Sequence, residues 1–210
     1  MKKSILFLLL SLAPAISHAQ DANLRSKAIA LLERAHAASV APNLPNLERD
    51  DTFQVFNPTA AAREGSFSRV VVQGMGRREE TTFGDYHLVQ VWTGETLSTT
   101  RTPQLVPPEV DRVMWLTPIR IVTFDESDVI RTITDRDIHN RPAHCIAFDT
   151  IVGEQHEQNE LCVDVENGTL VSEKLGNDLI ENSEFFPFAG ILMPGHISYS
   201  VSGNRELSII

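Results

Sequence analysis

With 210 residues, 42% of them hydrophobic and 22% charged, the chain is long enough for one domain with a sizeable core and too apolar for wholesale disorder. Its formal net charge of −10 repels phosphate backbones and anionic headgroups, which argues against nucleic acid as a partner and against docking on a membrane by charge alone. The N-terminus reads as a targeting segment. Lys2 and Lys3 form a basic start, Ile5 to Leu12 an apolar run, and Ser17-His18-Ala19 a small-x-small signal before Gln20. The apolar run is too short to span a bilayer. Processing between Ala19 and Gln20 would leave residues 20–210 as a single domain, periplasmic or secreted, and more acidic than before for the loss of two lysines.

Asp21 to Val40 predicts one long helix. Leu24, Ala28, Leu31, Ala35 and Ala38 recur at spacings of three and four with Leu32 beside them, and Pro42 and Pro45 stop the pattern. The span from Asp51 to Pro103 predicts strand after strand: TFQVFN, SFSRVVVQGM, RREETTF, YHLVQVW and TLSTTRT. Asn-Pro, Arg63-Glu64-Gly65 and three further Gly signals separate them. Polar residues on both strand faces, and the lack of crossover helices, point to antiparallel neighbours. Val106 to Leu116 predicts a short second helix, opened by Pro107 and Pro108 and ended by Pro118. Strands then resume as IRIVTF, DVIRTITDRDI, AHCIAFDT, ELCVDV, TLVSEKL, NSEFFPF, HISYSVS and RELSI, about twelve in all.

The best-specified part is the pair of strands carrying the chain's two cysteines. A loop centred on Gly153 and Glu154 puts Cys145 opposite Cys162, so the two thiols face each other across neighbouring strands. Disulfides persist in oxidising compartments, which agrees with export. Asn167-Gly168 is the preferred type I′ hairpin signal leading into the next strand.

No catalytic or metal-binding motif is present. His139, His144 and His156 are close in sequence but lack zinc spacing, and HExxH and CxxC are missing. Asp125, Glu126 and Asp128 lack the central Gly and distant Glu of a calcium loop and read as a turn. Asp135 and Asp137 share a strand face without a named partner. Gly65-Ser66 and Ser202-Gly203 do not supply the GxSxG of a serine hydrolase. The expectation is a non-enzyme without metal or cofactor.

The order of elements, with ALLERAH (30–36), CIAFDT…LCVDVENGTLVSEK and the ending FFPFAGILMPGHISYSVSGNRELSI, resembles the LolA/LolB-like fold of periplasmic lipoprotein carriers. More narrowly, it is similar to exported domains of soil bacteria that precede a TonB-like domain. The TonB-like part is absent here, so energy transduction is not carried over. No single Arg matches the arginine that closes the cavity of the lipoprotein carriers.

The resemblance implies a mainly β fold: a curved antiparallel half-barrel whose concave face is covered by one long N-terminal and one short helix. It also implies an apolar ligand in the cavity, such as a lipid, acyl chain or lipoprotein. The alternative is a cell-envelope interaction or sensor module of the RseB-like or TonB-associated kind, with a protein partner and no small ligand. Trp92, Met114, Trp115, Phe148 and Phe186 are the candidate lining, with Met114 and Trp115 as a lid. Phe185 and Phe188 are further large apolar residues of the same region.

Overall fold

The computed structural model describes residues 13–39, 46–57, 59–116, 122–152 and 155–210, and side chains from Ala22 onward apart from Val152. The leader, the proline stops and the centre of the cysteine loop at Gly153 and Glu154 lie outside the described residues or side chains.

Helix α1 (Ala13–Ser39) starts earlier than the expected helix and ends where the pattern fades. Its stripe points inward as the spacing requires: Ala28, Leu32 and Ala35 are buried, Leu24, Leu31 and Ala38 half-buried. Two arginines strap it down. Arg25 donates to the carbonyls of Asp125 and Asp128 at 2.6 and 2.7 Å, and Arg34 to those of Val165 and Glu166 at 2.6 and 3.0 Å. The Asp125–Asp128 turn is thus not merely solvated: Asp128 is buried and its Oδ2 accepts from the Asp125 N–H at 2.8 Å.

The first run of strands is β1 (Leu47–Asn57), β2 (Ala60–Val72), β3 (Gly76–Phe83), β4 (Tyr86–Thr93) and β5 (Thr96–Thr102). Helix α2 (Pro108–Leu116) follows. The second run is β6 (Val129–Ile138), β7 (Arg141–Val152), β8 (Gln155–Asp164), β9 (Leu170–Leu175) and β10 (Asp178–Ser183). A small hairpin, β11 (Phe186–Phe188) and β12 (Ile191–Met193), precedes the closing pair β13 (His196–Val201) and β14 (Asn204–Ile209).

Twelve strands form one curved, unclosed antiparallel sheet in the order β5-β4-β3-β2-β1-β14-β13-β10-β9-β8-β7-β6. The last hairpin in sequence is therefore the seam that joins the two meanders. Two helices cover two halves of the concave face. Val110, Val113 and Leu116 of α2 pack on Phe53, Phe67, Phe83, Tyr86, Leu88 and Leu207, while Ala28 and Leu32 of α1 pack on Ile146, Phe148 and Leu161.

Three local expectations are corrected. Arg63-Glu64-Gly65 is not a turn but the middle of β2. Gly65 stands opposite Phe53, and a Cβ there would lie 2.2 Å from the Phe53 ring. Residues 122–124 of the expected IRIVTF strand are not in a strand; Val122 and Phe124 pack under α1 instead, and 119–121 lie outside the described residues. NSEFFPF is two strands, because Glu184 turns the chain with φ 55° and sends Phe186–Phe188 into its own hairpin.

Cys145 and Cys162 are register partners and are bonded. Because side chains alternate across a strand, they lie on the opposite face to Ile146 and Leu161, in a separate cluster with Ala143 and Val171. A link across 17 residues removes loop entropy from the unfolded chain. Reduction, or the double substitution Cys145→Ser and Cys162→Ser, is expected to lower stability by about 3 kcal/mol, measured by urea unfolding with and without reductant. The hairpin after it forms as expected, but its turn is a four-residue loop rather than type I′. Asp164 and Thr169 pair across it through an N–H to carbonyl bond of 2.8 Å. Only Gly168 has positive φ, and the Asp164 carboxylate accepts the Glu166 and Asn167 N–H groups at 2.9 Å each.

Candidate functional site: a slot at the rim of the half-barrel

Alternation along LERDDTF places Leu47, Arg49, Asp51 and Phe53 on the concave face of β1. Register carries each into a row across the sheet. Phe53 leads to Phe83 and Tyr86 through Gly65, an apolar row roofed by α2. Asp51 leads to Phe67, Thr81 and Leu88. Arg49 leads to Arg69, Glu79 and Gln90, so this row is polar from end to end. Leu47 leads to Val71, Arg77, Trp92 and Leu97 at the outer rim.

The polar row is internally paired. Arg69 Nε donates to Glu79 Oε1 at 2.7 Å, and Arg77 Nε lies 3.3 Å from the same oxygen. Arg77 also stacks 3.9 Å over the Trp92 ring. Arg49 Nε donates to Asp51 Oδ1 at 2.8 Å. Burial pushes the Asp51 carboxyl above its ordinary value, against the pull of the Arg49 and Arg69 guanidinium groups. Its neutral form therefore suits the fold better than the unfolded chain. The stability this contributes is fully present below pH 3.8 and is lost as the pH rises through the raised value. Asp51→Asn is expected to flatten the fall in stability from pH 3.8 towards neutrality, read from urea midpoints across that range.

Strand β14 runs out beside the middle of β1. Thr52 and Ile210 exchange the last backbone pair, at 2.9 and 2.8 Å. Beyond them Leu47 to Asp51 face not a strand but the β11–β12 hairpin. The gap is a cavity of about 270 Å³, with Arg49 and Asp51 at one wall and Phe186, Phe188, Met193, Pro194 and Ile210 at the other. A greasy wall facing a few fixed polar groups is the usual composition of a ligand site.

Of the expected lining, Phe186 stands in this slot, 43% exposed. Trp92 lines a different cavity of about 200 Å³ by the β2–β3 turn. Phe148 is buried under α1, edge-on to Phe124 with ring centroids 5.0 Å apart. Met114 packs against the α2 core cluster, and Trp115 on the same helix is 42% exposed. The five are thus dispersed over the half-barrel. Arg49, Asp51, Leu47 and Met193 of the slot had no motif to mark them. Their signal is the alternation itself, which puts charges in phase with core residues in LERDDTF.

Among the described residues the histidines do not converge. His139, in the β6–β7 turn, meets Glu181 at 2.8 Å, His144 meets Asp135 at 2.6 Å and His87 meets Glu80 at 2.6 Å, each pair with an exposed member. His196 lies between the hydroxyls of Ser183 at 3.2 Å and Ser208 at 2.7 Å, with Ser208 buried. Among the described residues the one triple with ligand-type atoms close together is Cys145, Glu160 and Cys162, whose sulfurs are bonded to each other.

The curved, unclosed sheet with its two helices is similar in fold to several solved structures. A domain of an outer membrane lipoprotein-sorting protein from Vibrio parahaemolyticus superposes with a TM-score of 0.52 at 8% identity, covering 85% of this chain and 88% of that one. A DUF1329 family protein from Desulfovibrio piger gives 0.51 at 8% identity, over 86% and 89%. A LolA superfamily protein from Nitrosomonas europaea gives 0.46 at 11% identity, over 86% and 89%. The expected LolA-like architecture is the observed one, and the likeness is one of fold. No protein-family model and no curated protein sequence matches the chain.

Proposed function

We propose that the chain is an exported, non-enzymatic cell-envelope protein that takes the end of an acyl chain, carried by a lipid or a lipoprotein, into the rim slot. The observation that carries this reading is the slot's apolar wall, in which Phe186 stays 43% exposed beside Phe188 and Met193. Each methylene moved from water into such a wall contributes about 0.8 kcal/mol. The volume, about 270 Å³, suits one chain end rather than several chains. Arg49, bonded to Asp51, forms with Glu48 and Asp50 the polar lip beside that apolar wall. The basic and apolar leader supports export, and the scattered histidines support a binding role over a catalytic one.

The test is a titration of the purified, exported protein with parinaric acid, a fluorescent fatty acid, together with mass spectrometry of its organic extract. Saturable binding is expected, with Phe186→Asp weakening it about tenfold or more. Absence of both saturable binding and copurified lipid would sink the proposal.

A further inference from the structure

We infer that β5 is an acceptor edge for an extended peptide strand, with an acidic and an apolar residue of the partner placed against Arg101 and Leu97. The inference is independent of the rim slot. The two ends of the open sheet are built differently. At one end β6 carries a bulge between Ile130 and Thr132, lies against α1, and bears Arg131, Asp135, Arg136 and Asp137. These are the devices that keep an edge from pairing with another chain. At the other end β5 pairs with β4 through seven consecutive residues without a register shift, and all seven are exposed. Its sequence, TLSTTRT, has high strand propensity, one charge and no proline.

The backbone geometry says what fits. The two-residue turn at Gly94 and Glu95 makes Thr93 and Thr96 the first bonded pair of the hairpin. In an antiparallel ladder bonding alternates, so Leu97, Thr99 and Arg101 turn their N–H and C=O groups to the open side. A row of alternating backbone donors and acceptors is satisfied by an extended main chain. Leu97, Thr99 and Arg101 also share the concave face with Trp92, Gln90 and Leu88. Residues of an incoming strand that bond to them put their own side chains on that same face. Leu97, 48% exposed, extends the row of Trp92 and calls for an apolar neighbour.

Arg101 calls for a carboxylate. Arg101 enters none of the ion pairs among the described residues; Arg63 and Arg205 share that, but they lie over the Phe83 and Phe56 rings, whereas Arg101 stands on the exposed edge strand. Read in the antiparallel sense, the partner has an acidic residue, then two positions on a β-branched one, then two positions on an apolar one. A second copy of the same strand is a poor occupant. Antiparallel self-pairing about Thr99 sets Leu97 against Arg101 at both ends, with no carboxylate for either guanidinium.

The probe is the peptide acetyl-TETVTLT-amide, with acetyl-TKTVTLT-amide as its charge-reversed control. Amide exchange followed by NMR is expected to show the Leu97, Thr99 and Arg101 N–H groups slowed about tenfold or more at saturating peptide, from an unprotected free state. The acidic peptide is expected to bind about two- to fivefold more tightly than the lysine peptide, and Arg101→Glu to reverse that order. Thr99→Pro removes one outward N–H and leaves the bonds to β4 in place, so the variant is expected to fold and to lose binding. Three results would overturn the inference: unchanged exchange at the three amides, equal binding of both peptides, or full binding by Thr99→Pro. Concentration-dependent protection of the same amides without peptide would assign the edge to a second copy instead, and would overturn it as well.

Discussion

Phe53→Ala is expected to destabilise the fold by about 4 kcal/mol, the middle of the range for emptying a buried phenylalanine site. For a chain of this size that corresponds to a fall in Tm of roughly 8–16 °C. Phe53 is 1% exposed, packs with Phe83 at a ring-centroid distance of 5.6 Å, and sits at the centre of the cluster that α2 covers. It also lies on β1, the strand through which the first meander reaches β14 and the seam. Gly65→Ala is expected to destabilise for the complementary reason, since the new Cβ would lie 2.2 Å from the Phe53 ring and 2.6 Å from the Thr82 carbonyl oxygen. The two changes should not add. With the ring gone, Gly65→Ala loses its closest clash and keeps that with the Thr82 carbonyl oxygen, so it is expected to be milder in the Phe53→Ala background than alone. Urea unfolding of the four members of the cycle decides this, and strict additivity would show that Gly65 is not there to admit the ring.

The same glycine shows where reading the sequence stops. Glycine next to Arg-Glu punctuates a run of strands in the way a turn does, and only the partner strand reveals that Phe53 fills the space of its missing side chain. Local signals fared well where neighbours in sequence are neighbours in space. The stripe on α1, the bounds of β5 and the register from Cys145 to Cys162 all follow from spacing within a few dozen residues. The slot is different in kind. Its walls come from positions 47–51 and 186–194, brought together because β13 and β14 return to pair between β10 and β1. Phe186 could be suspected for its size, but nothing local to Arg49 or Met193 announces that they face each other. The split of NSEFFPF is equally non-local: Phe185 packs near the disulfide under the Arg141 guanidinium, 4.9 Å from its ring centre, whereas Phe186 one residue on turns to the slot.

The second large effect concerns the polar row. Glu79→Leu is expected to cost about 2–3 kcal/mol, because it strips the shared carboxylate from Arg69 and Arg77, of which Arg69 is the more buried and keeps its place over the Phe67 ring. Removing both partners of the inner pair is a different experiment. A matched pair of charges withdrawn from water gains little net stability, since desolvation offsets attraction, and well-packed apolar replacements are often neutral or better. Arg69→Met with Glu79→Leu is therefore expected to be far more stable than Glu79→Leu alone and to lie close to the parent in urea midpoint. If it does, the Arg69–Glu79 pair is not retained for folding; of the row it belongs to, Arg49 alone reaches the slot, two strands away from Glu79. A double variant as unstable as the single one would instead make the pair a structural element of the first meander, needed to hold β2 on β3.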